Sequence, residues 1–216
     1  MKNVSMIAVA MLATILTTGC QKTVEKEEPA DLRLFELTGN VKNGKDLFAI
    51  DVNEDGTNSD EWTQFPGGEY TFDENGTLIS YSDNGTQATI TRDEAGRIIS
   101  MKVACENADG SWNDGGFEVS YTWDENGKLT GDEYHNCVGG HMVRTYIYDN
   151  NGQIVGSNGK GMAEGETYTV ERKYRVLESD EKGNWTKRHV TTTETYEGIE
   201  PDVTYELETR EIAYFE

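Results

Sequence analysis

The stretch Trp123-Asp-Glu-Asn-Gly127-Lys-Leu129 decides the fold, because the same phrase returns four more times along the chain. Its shared pattern is x-Asp-x-x-Gly-x-apolar. An aspartate side chain accepts hydrogen bonds from backbone N–H groups ahead of it, and glycine adopts the positive φ that a Cβ penalises. An apolar residue then opens the next strand, so each phrase predicts a β-hairpin turn. The five turns carry the pairs Asp73 and Gly76, Asp93 and Gly96, Asp124 and Gly127, Asp149 and Gly152, and Asp180 and Gly183.

The segments between these turns alternate in polarity with the period of a β-strand. In segment 168–176 one face is apolar except for Arg172, and it carries Tyr168, Val170, Tyr174 and Val176. In segment 203–215 one face carries Val203, Tyr205, Leu207, Ala213 and Phe215. We therefore predict an all-β fold, an antiparallel meander of repeated hairpins with about 11–13 strands that forms a curved sheet or a partly closed barrel.

Several finer boundaries follow from the same patterns. The first strand is expected at 37–42, and no amphipathic helix is expected after residue 31. Three glycine-containing stretches, 65–68, 107–110 and 158–161, are interpreted as further turns because glycine, proline and asparagine punctuate regular structure.

The repeat resembles the YD/RHS-type repeats of bacterial envelope proteins, whose core is a Tyr-Asp-x-x-Gly turn in a long β-meander. The resemblance covers about residues 70–190, and only Tyr148-Asp149 matches the literal Tyr-Asp pair. The chain is also similar to gut Bacteroidetes lipoproteins of unknown function that carry such repeats. RHS proteins are far longer and build shells around a cargo, so the resemblance implies the hairpin architecture and not that function.

The N-terminal residues are typical of an export signal. Lys2 supplies a positive charge, and the apolar run 6–16 is too short for a bilayer core of about 30 Å. The end of the stretch, Leu16-Thr-Thr-Gly-Cys20, resembles a bacterial lipobox, which implies a lipidated Cys20. We therefore expect a signal peptide at 1–19, a lipidated cysteine and flexible tether at 20–31, and a single β-repeat domain at 32–216. The expected location is the bacterial outer membrane, on its periplasmic or surface side.

The charge balance limits the partners. The chain has 40 Asp and Glu residues against 19 Lys and Arg, a formal net charge of −21. Such a chain lacks the basic excess that nucleic-acid or anionic-lipid binding needs. We expect membrane contact through the lipid anchor alone, with a glycan or a protein as the partner of the folded domain.

Two cysteines remain once Cys20 is assigned to lipid. Cys105 and Cys137 suggest a disulfide in an exported protein. The alternative is a pair of buried free thiols that pack as small apolar side chains.

The stretch 51–61 matches the start of a calcium-binding loop. Residues with oxygen-bearing side chains occupy alternate positions before and after Gly56, and this glycine provides the sharp bend of the loop. The candidate ligands are Asp51, Asn53, Asp55, Thr57, Ser59 and Asp60. The alternative is an ordinary acidic hairpin loop, because position 12 is Trp62 instead of glutamate. Calcium is the one cofactor that the sequence suggests.

A second candidate metal site consists of two histidines and a cysteine. His135, Cys137 and His141 are residue types that bind transition metals. However, a two-residue turn at Gly139-Gly140 would pair Val138 with His141. His141 would then point to the face opposite His135 and Cys137, so these residues are interpreted as ordinary strand positions.

The sequence contains no recognised catalytic motif, so we expect a protein without enzymatic activity. The leading interpretation is a binding or structural module of the cell envelope. Trp112 lies in a polar, glycine-rich loop and is the best candidate for stacking on a ligand such as a sugar. Two alternatives remain: a carrier of small ligands with a lipocalin-like barrel, and a hydrolase of unrecognised type.

Overall fold

The computed structural model describes residues 29–106, 110–111, 115–163 and 165–216. The predicted signal peptide, Cys20, the tether up to residue 28 and Trp112 lie outside the described residues. In the described part the chain forms one short helix and 13 strands. Their bounds are α1 Ala30–Leu34, β1 Val41–Val52, β2 Asn58–Phe72, β3 Leu78–Asp83, β4 Thr86–Gln87, β5 Thr89–Arg92, β6 Ile98–Val103, β7 Phe117–Trp123, β8 Leu129–Asn136, β9 His141–Tyr148, β10 Ile154–Ala163, β11 Glu166–Ser179, β12 Trp185–Tyr196 and β13 Asp202–Tyr214.

All strands belong to one antiparallel sheet that closes almost completely. Strands that follow each other in the chain pair with each other, except β4 and β5, and β1 also pairs with β13 from Val41 opposite Tyr214 to Ile50 opposite Glu206. The two edges of the sheet are β4 and β5, and Ala88 alone separates them in the chain. A sheet whose two edges belong to one short segment has to curve into a barrel. The predicted all-β meander of hairpins is confirmed.

The five repeated turns all lie at the same end of the barrel, which we call the Asp-turn end. Antiparallel strands place successive loops at alternate ends. In the first of these turns, the Asp73 N–H donates to the Thr77 carbonyl, 2.9 Å away. The Asp73 Oδ1 accepts from the Asn75 and Thr77 N–H groups. The same bonds recur in the other four turns, and their glycines have φ between 75° and 88°. The predicted turn chemistry is confirmed at every repeat.

The opposite end, which we call the far end, uses the same turn with asparagine. Asn53 and Asn136 take the place of the aspartate, and their N–H groups donate to the carbonyls of Thr57 and Gly140. The 136–140 turn sets the register of β8 and β9, in which His135 lies opposite His141. The predicted two-residue turn at Gly139-Gly140 is therefore wrong, and so is the placement of His141 and His135 on opposite faces.

Residues 29–40, which we call the N-terminal segment, pack inside the Asp-turn end. Leu32 and Leu37 are 1 % exposed and join Phe35, Tyr70 and other inner-face side chains in the main apolar cluster. Asp31 is 4 % exposed and forms a two-pronged ion pair with Arg92. The packed structure therefore already includes Asp31, which the sequence analysis assigns to the tether.

Three predicted boundaries are wrong, and two of them share one reason. The first strand begins at Val41, not at residue 37, while segments 65–68 and 158–161 lie inside β2 and β10. The two segments are strand rather than turn because their glycines make room for rings. A Cβ on Gly68 or Gly161 would lie less than 3 Å from the ring of Tyr81 or Tyr168. Residues 107–109 of the third predicted turn lie outside the described residues.

The disulfide expected between Cys105 and Cys137 is present, with 5.5 Å between the two Cα atoms. It ties the loop after β6 to the turn after β8 at the far end. In the described ranges no helix is long and apolar enough to cross a membrane.

Candidate ligand-binding pocket

The inner face of the barrel carries a network of paired charges. Arg188 donates to Glu36 of the N-terminal segment and to Glu208 of β13. Arg172 lies 3.1 Å from Glu206 and 3.4 Å from Glu208. Burial raises the pKa of Glu208, but the Arg188 and Arg172 guanidiniums outweigh it and hold that pKa below its usual range. The Glu208 carboxylate is therefore ionised and compensated inside the barrel, whereas burial raises the pKa of Glu206.

Trp185 is the centre of this network. The Arg188 and Arg210 guanidinium carbons lie 4.1 and 3.7 Å from its ring, and Arg188 also lies 4.3 Å from the ring of Tyr174. Cations over aromatic faces are attracted by the ring quadrupole. The indole N–H of Trp185 is buried without a hydrogen-bond partner among the described residues. The faces of this ring are thus engaged by the protein, and its buried N–H has no acceptor among the described residues.

A pocket of about 500 Å³ lies between the N-terminal segment and the inner wall of β8 to β12. We call it the turn-end pocket because it is located at the Asp-turn end. Its wall is largely apolar and is formed by Leu37, Leu129, Tyr148, Ile154, Val176 and Trp185. Its charged members are Arg33, Lys128 and Arg188 against the single acid Glu36. The pocket is therefore an apolar chamber with more cationic than acidic groups, in a chain of net charge −21.

Among the described residues, no carboxylate forms an ion pair or a hydrogen bond with Lys128 of this pocket. Its Nζ lies 3.6 Å from the centroid of the Tyr148 ring, and the Tyr148 hydroxyl donates to the Leu129 carbonyl. Arg188, by contrast, already pairs with Glu36 and Glu208. An acidic group on a ligand would therefore meet the charge of Lys128.

A second cavity of about 420 Å³ lies deeper in the barrel and shares Trp185 and Arg188 with the turn-end pocket. Its lining is mainly polar and includes Asp46, Arg172 and Glu206. Three buried polar atoms along one row of the inner wall have no hydrogen-bond partner in the described part of the chain: Ser157 Oγ, Arg172 Nε and Thr192 Oγ1. Buried polar groups of this kind are normally satisfied by water or a ligand. Of the three residues, Arg172 lines the second cavity.

The predicted calcium residues lie in the first hairpin, whose turn packs against the outer wall, where the Asp55 carbonyl accepts from Arg175 Nη2 at 3.2 Å. Asp51 belongs to β1, Ser59 and Asp60 belong to β2, and the turn between them runs from Asn53 to Thr57. The turn is held by its own side chains. The Asn53 amide donates to Thr57 Oγ1, and Asp55 Oδ1 accepts from both the N–H and the hydroxyl of Thr57. Calcium binding at this loop stays a prediction.

Sequence reasoning missed the residues of the turn-end pocket. Leu129, Ile154 and Trp185 each occupy the apolar position that follows an x-Asp-x-x-Gly turn, and all three line the pocket. The signal was therefore present in the repeat itself, because turns that share one end of a barrel bring their following residues together. The contribution of Arg188 and Glu36 carried no local signal.

No family model and no curated protein matches the chain. Among solved structures it is similar to a porin-like protein from Bacteroides uniformis ATCC 8492, with a TM-score of 0.32 and 9 % sequence identity. The match covers 80 % of this chain and 96 % of that one. At this level of similarity the match carries no inference about function.

Proposed function

We propose that the protein is a non-catalytic ligand-binding barrel of the bacterial cell envelope, attached to the membrane by lipid on Cys20. Its ligand is a small amphipathic molecule with an apolar body and one acidic group, and it binds in the turn-end pocket. The observation that carries the proposal is the pocket itself, an apolar chamber of about 500 Å³ at the Asp-turn end. This proposal follows the carrier interpretation more closely than the glycan or protein-partner interpretation.

Size and polarity support this ligand class. Pockets for small molecules typically have volumes of about 300–1,000 Å³ and are lined by apolar side chains with a few polar groups. The turn-end pocket falls in this range. Leu129, Ile154 and Val176 would contact the apolar body. The Lys128 ammonium would meet the acidic group.

The aromatic rings argue against a ligand that binds by stacking. Arg188 and Arg210 lie over Trp185, and Lys128 lies over Tyr148. A sugar would have to displace these cations to reach a flat apolar surface.

The outer face supports a barrel that stands in water on its tether. Its residues on β11 and β12 are hydroxyl-bearing or charged, among them Thr169, Lys173, Thr191 and Thr193. Strand surfaces that face lipid carry an apolar band instead. The lipid anchor would then hold the barrel at the membrane without embedding it.

The test is a thermal melt of residues 21–216, which include every described residue, with three probes. These are dodecanoate below its micelle-forming concentration, dodecanol and maltotriose. Dodecanoate is expected to raise the melting point, since a ligand at a hundredfold excess over its Kd stabilises the folded state by about 2.7 kcal/mol. Ile154→Trp, which fills the pocket, should abolish the shift, and Lys128→Glu should weaken dodecanoate more than dodecanol.

Matched controls lie on the outer face. Val143→Trp and Lys173→Glu introduce the same side chains away from the pocket and should leave the dodecanoate shift unchanged. The proposal is wrong if only maltotriose shifts the melting point, or if dodecanoate acts equally on the wild type and on Ile154→Trp.

A further inference from the structure

Two histidines and a glutamate meet on the outer face near the far end. His135 Nε2 lies 3.1 Å and His141 Nε2 lies 3.0 Å from the same oxygen, Glu133 Oε1. The two imidazole rings are stacked, with centroids 4.4 Å apart and planes at 14°. One ligand atom from each of the three residues lies within 4.8 Å of the others.

The sheet places these groups together through its register. His135 on β8 lies directly opposite His141 on β9, and Glu133 comes two residues earlier on the same face. The Asn136 turn fixes this register, because its Oδ1 accepts from the N–H groups of Val138 and Gly140. The positions of the three side chains are thus set by paired strands instead of by a mobile loop.

We propose that Glu133, His135 and His141 form a binding site for a divalent transition-metal ion of the zinc type. Two imidazole nitrogens and one carboxylate oxygen are ligands that zinc accepts, whereas calcium and magnesium prefer sites made of oxygen alone. Three protein ligands leave a position for water or for an incoming ligand.

The cluster is accessible and has a chemical reason to accept a cation. The side chains of Glu133, His135 and His141 are 49 %, 53 % and 31 % exposed. Two Nε2 atoms directed at one carboxylate oxygen share a single acceptor in the absence of metal. With the proton of each neutral imidazole on Nδ1, a metal ion at their centre meets the lone pairs of both Nε2 atoms and of the carboxylate oxygen at once. The site is independent of the turn-end pocket, which lies inside the barrel at the other end.

The experiment is a calorimetric titration of Zn²⁺ into the full chain, purified in detergent without a polyhistidine tag. A buffer with about 0.15 M salt and excess Ca²⁺ suppresses loose binding to the acidic surface. We expect one Zn²⁺ per chain. Glu133→Ala and His141→Ala should each weaken binding by about tenfold or more, since even loss of an outer-shell partner costs 10–100-fold.

Two control variants separate this site from the rest of the acidic surface. Glu171→Ala removes an exposed carboxylate of β11, and His189→Gln removes the remaining histidine of the chain. Both should bind Zn²⁺ as the wild type does. Co²⁺ provides a second readout, because its visible absorption reports imidazole coordination and should be lost in His135→Ala. Equal Zn²⁺ binding by the wild type and by Glu133→Ala and His141→Ala, or no binding at all, would overturn the proposal.

Discussion

At the scale of single residues, the turn aspartates do the most to fix the fold. The N–H of the residue four positions later is the largest cause that lowers the pKa of Asp73 and of Asp149. Both carboxylates therefore stay ionised below their usual pKa of 3.8, because the folded turn supplies donors that the unfolded chain lacks. Asn136 shows that an amide oxygen can make the same turn without a charge.

A paired substitution tests this contribution through its pH dependence. The double change Asp73→Asn and Asp149→Asn keeps a side-chain oxygen that can accept the turn hydrogen bonds and removes the two carboxyl groups that titrate. A lowered folded-state pKa stabilises the fold above the unfolded pKa, and that stabilisation disappears as the pH falls through the folded pKa. Thermal melts should thus show the wild type more stable at neutral pH, with the gap closing between about pH 5 and about pH 3.

The control for net charge is the double change Glu197→Gln and Glu200→Gln in the exposed turn before β13. It removes the same number of charges outside the repeated turns. If the difference in melting point between the wild type and the Asp73→Asn, Asp149→Asn variant stayed constant with pH, the stabilisation could not come from these two carboxylates.

The turns were predictable because their signal is local. A capping aspartate and a glycine three positions later determine the turn, whatever the rest of the chain does. The register that pairs His135 with His141 was not predictable, because two turns of different length were compatible with the glycines at 139 and 140. Asn136 chose between them through its two hydrogen bonds, and only its likeness to the repeated aspartates could have shown this.

At the scale of elements, the N-terminal segment fills the barrel and forms one wall of the pocket. Asp31 is its main attachment to the sheet. Its carboxylate accepts two bonds from Arg92, at 2.9 and 2.8 Å, and one from the Leu78 N–H at 2.7 Å. Leu32 and Leu37 then pack in the core, so the segment is bound by charge and by burial together.

Replacement of Asp31 by alanine tests this attachment. Breaking a buried ion pair leaves the partner charge uncompensated, which typically costs 3–5 kcal/mol. Arg92 is 29 % exposed, so we expect a loss of about 2–3 kcal/mol in the free energy of unfolding, measured by urea denaturation. Glu69→Ala breaks the exposed pair with Lys45 and should reduce the free energy of unfolding much less than Asp31→Ala does. Equal effects of the two substitutions would show that Asp31 does not attach the segment.

The errors at this scale come from glycines that serve packing. Glycines at positions 44, 68 and 161 indicate a turn or a break in a strand when only the sequence is considered. In the structure, each of them faces a tyrosine ring on the neighbouring strand. Close approach of a ring over a strand glycine is a contact between distant residues, so no local pattern reveals it.

At the scale of the whole molecule, closure of the sheet turns a row of hairpins into a container. The alternation in 203–215 was correct as a strand pattern, but the face with Val203 and Leu207 lies outside. The inner face of β13 carries Glu206, Glu208 and Arg210, whose charges are met by partners from other strands and from the N-terminal segment. Compensation across the barrel is invisible to any single segment, and for that reason the paired charges of the pocket could not be predicted.

The pairing of β1 with β13 is the central claim, because the pocket exists only if the first and last strands meet. Lys45 lies opposite Glu211 in that register, on the outer face. Register partners in an antiparallel pair have Cα atoms about 4.5–5.5 Å apart, within reach of a disulfide. The direct measurement is oxidation of the double variant Lys45→Cys, Glu211→Cys, followed by proteolysis and mass spectrometry. We predict a cross-link between positions 45 and 211. The control variant Lys45→Cys, Lys173→Cys should form none. Free thiols at both 45 and 211 under the same oxidation would contradict the closed barrel.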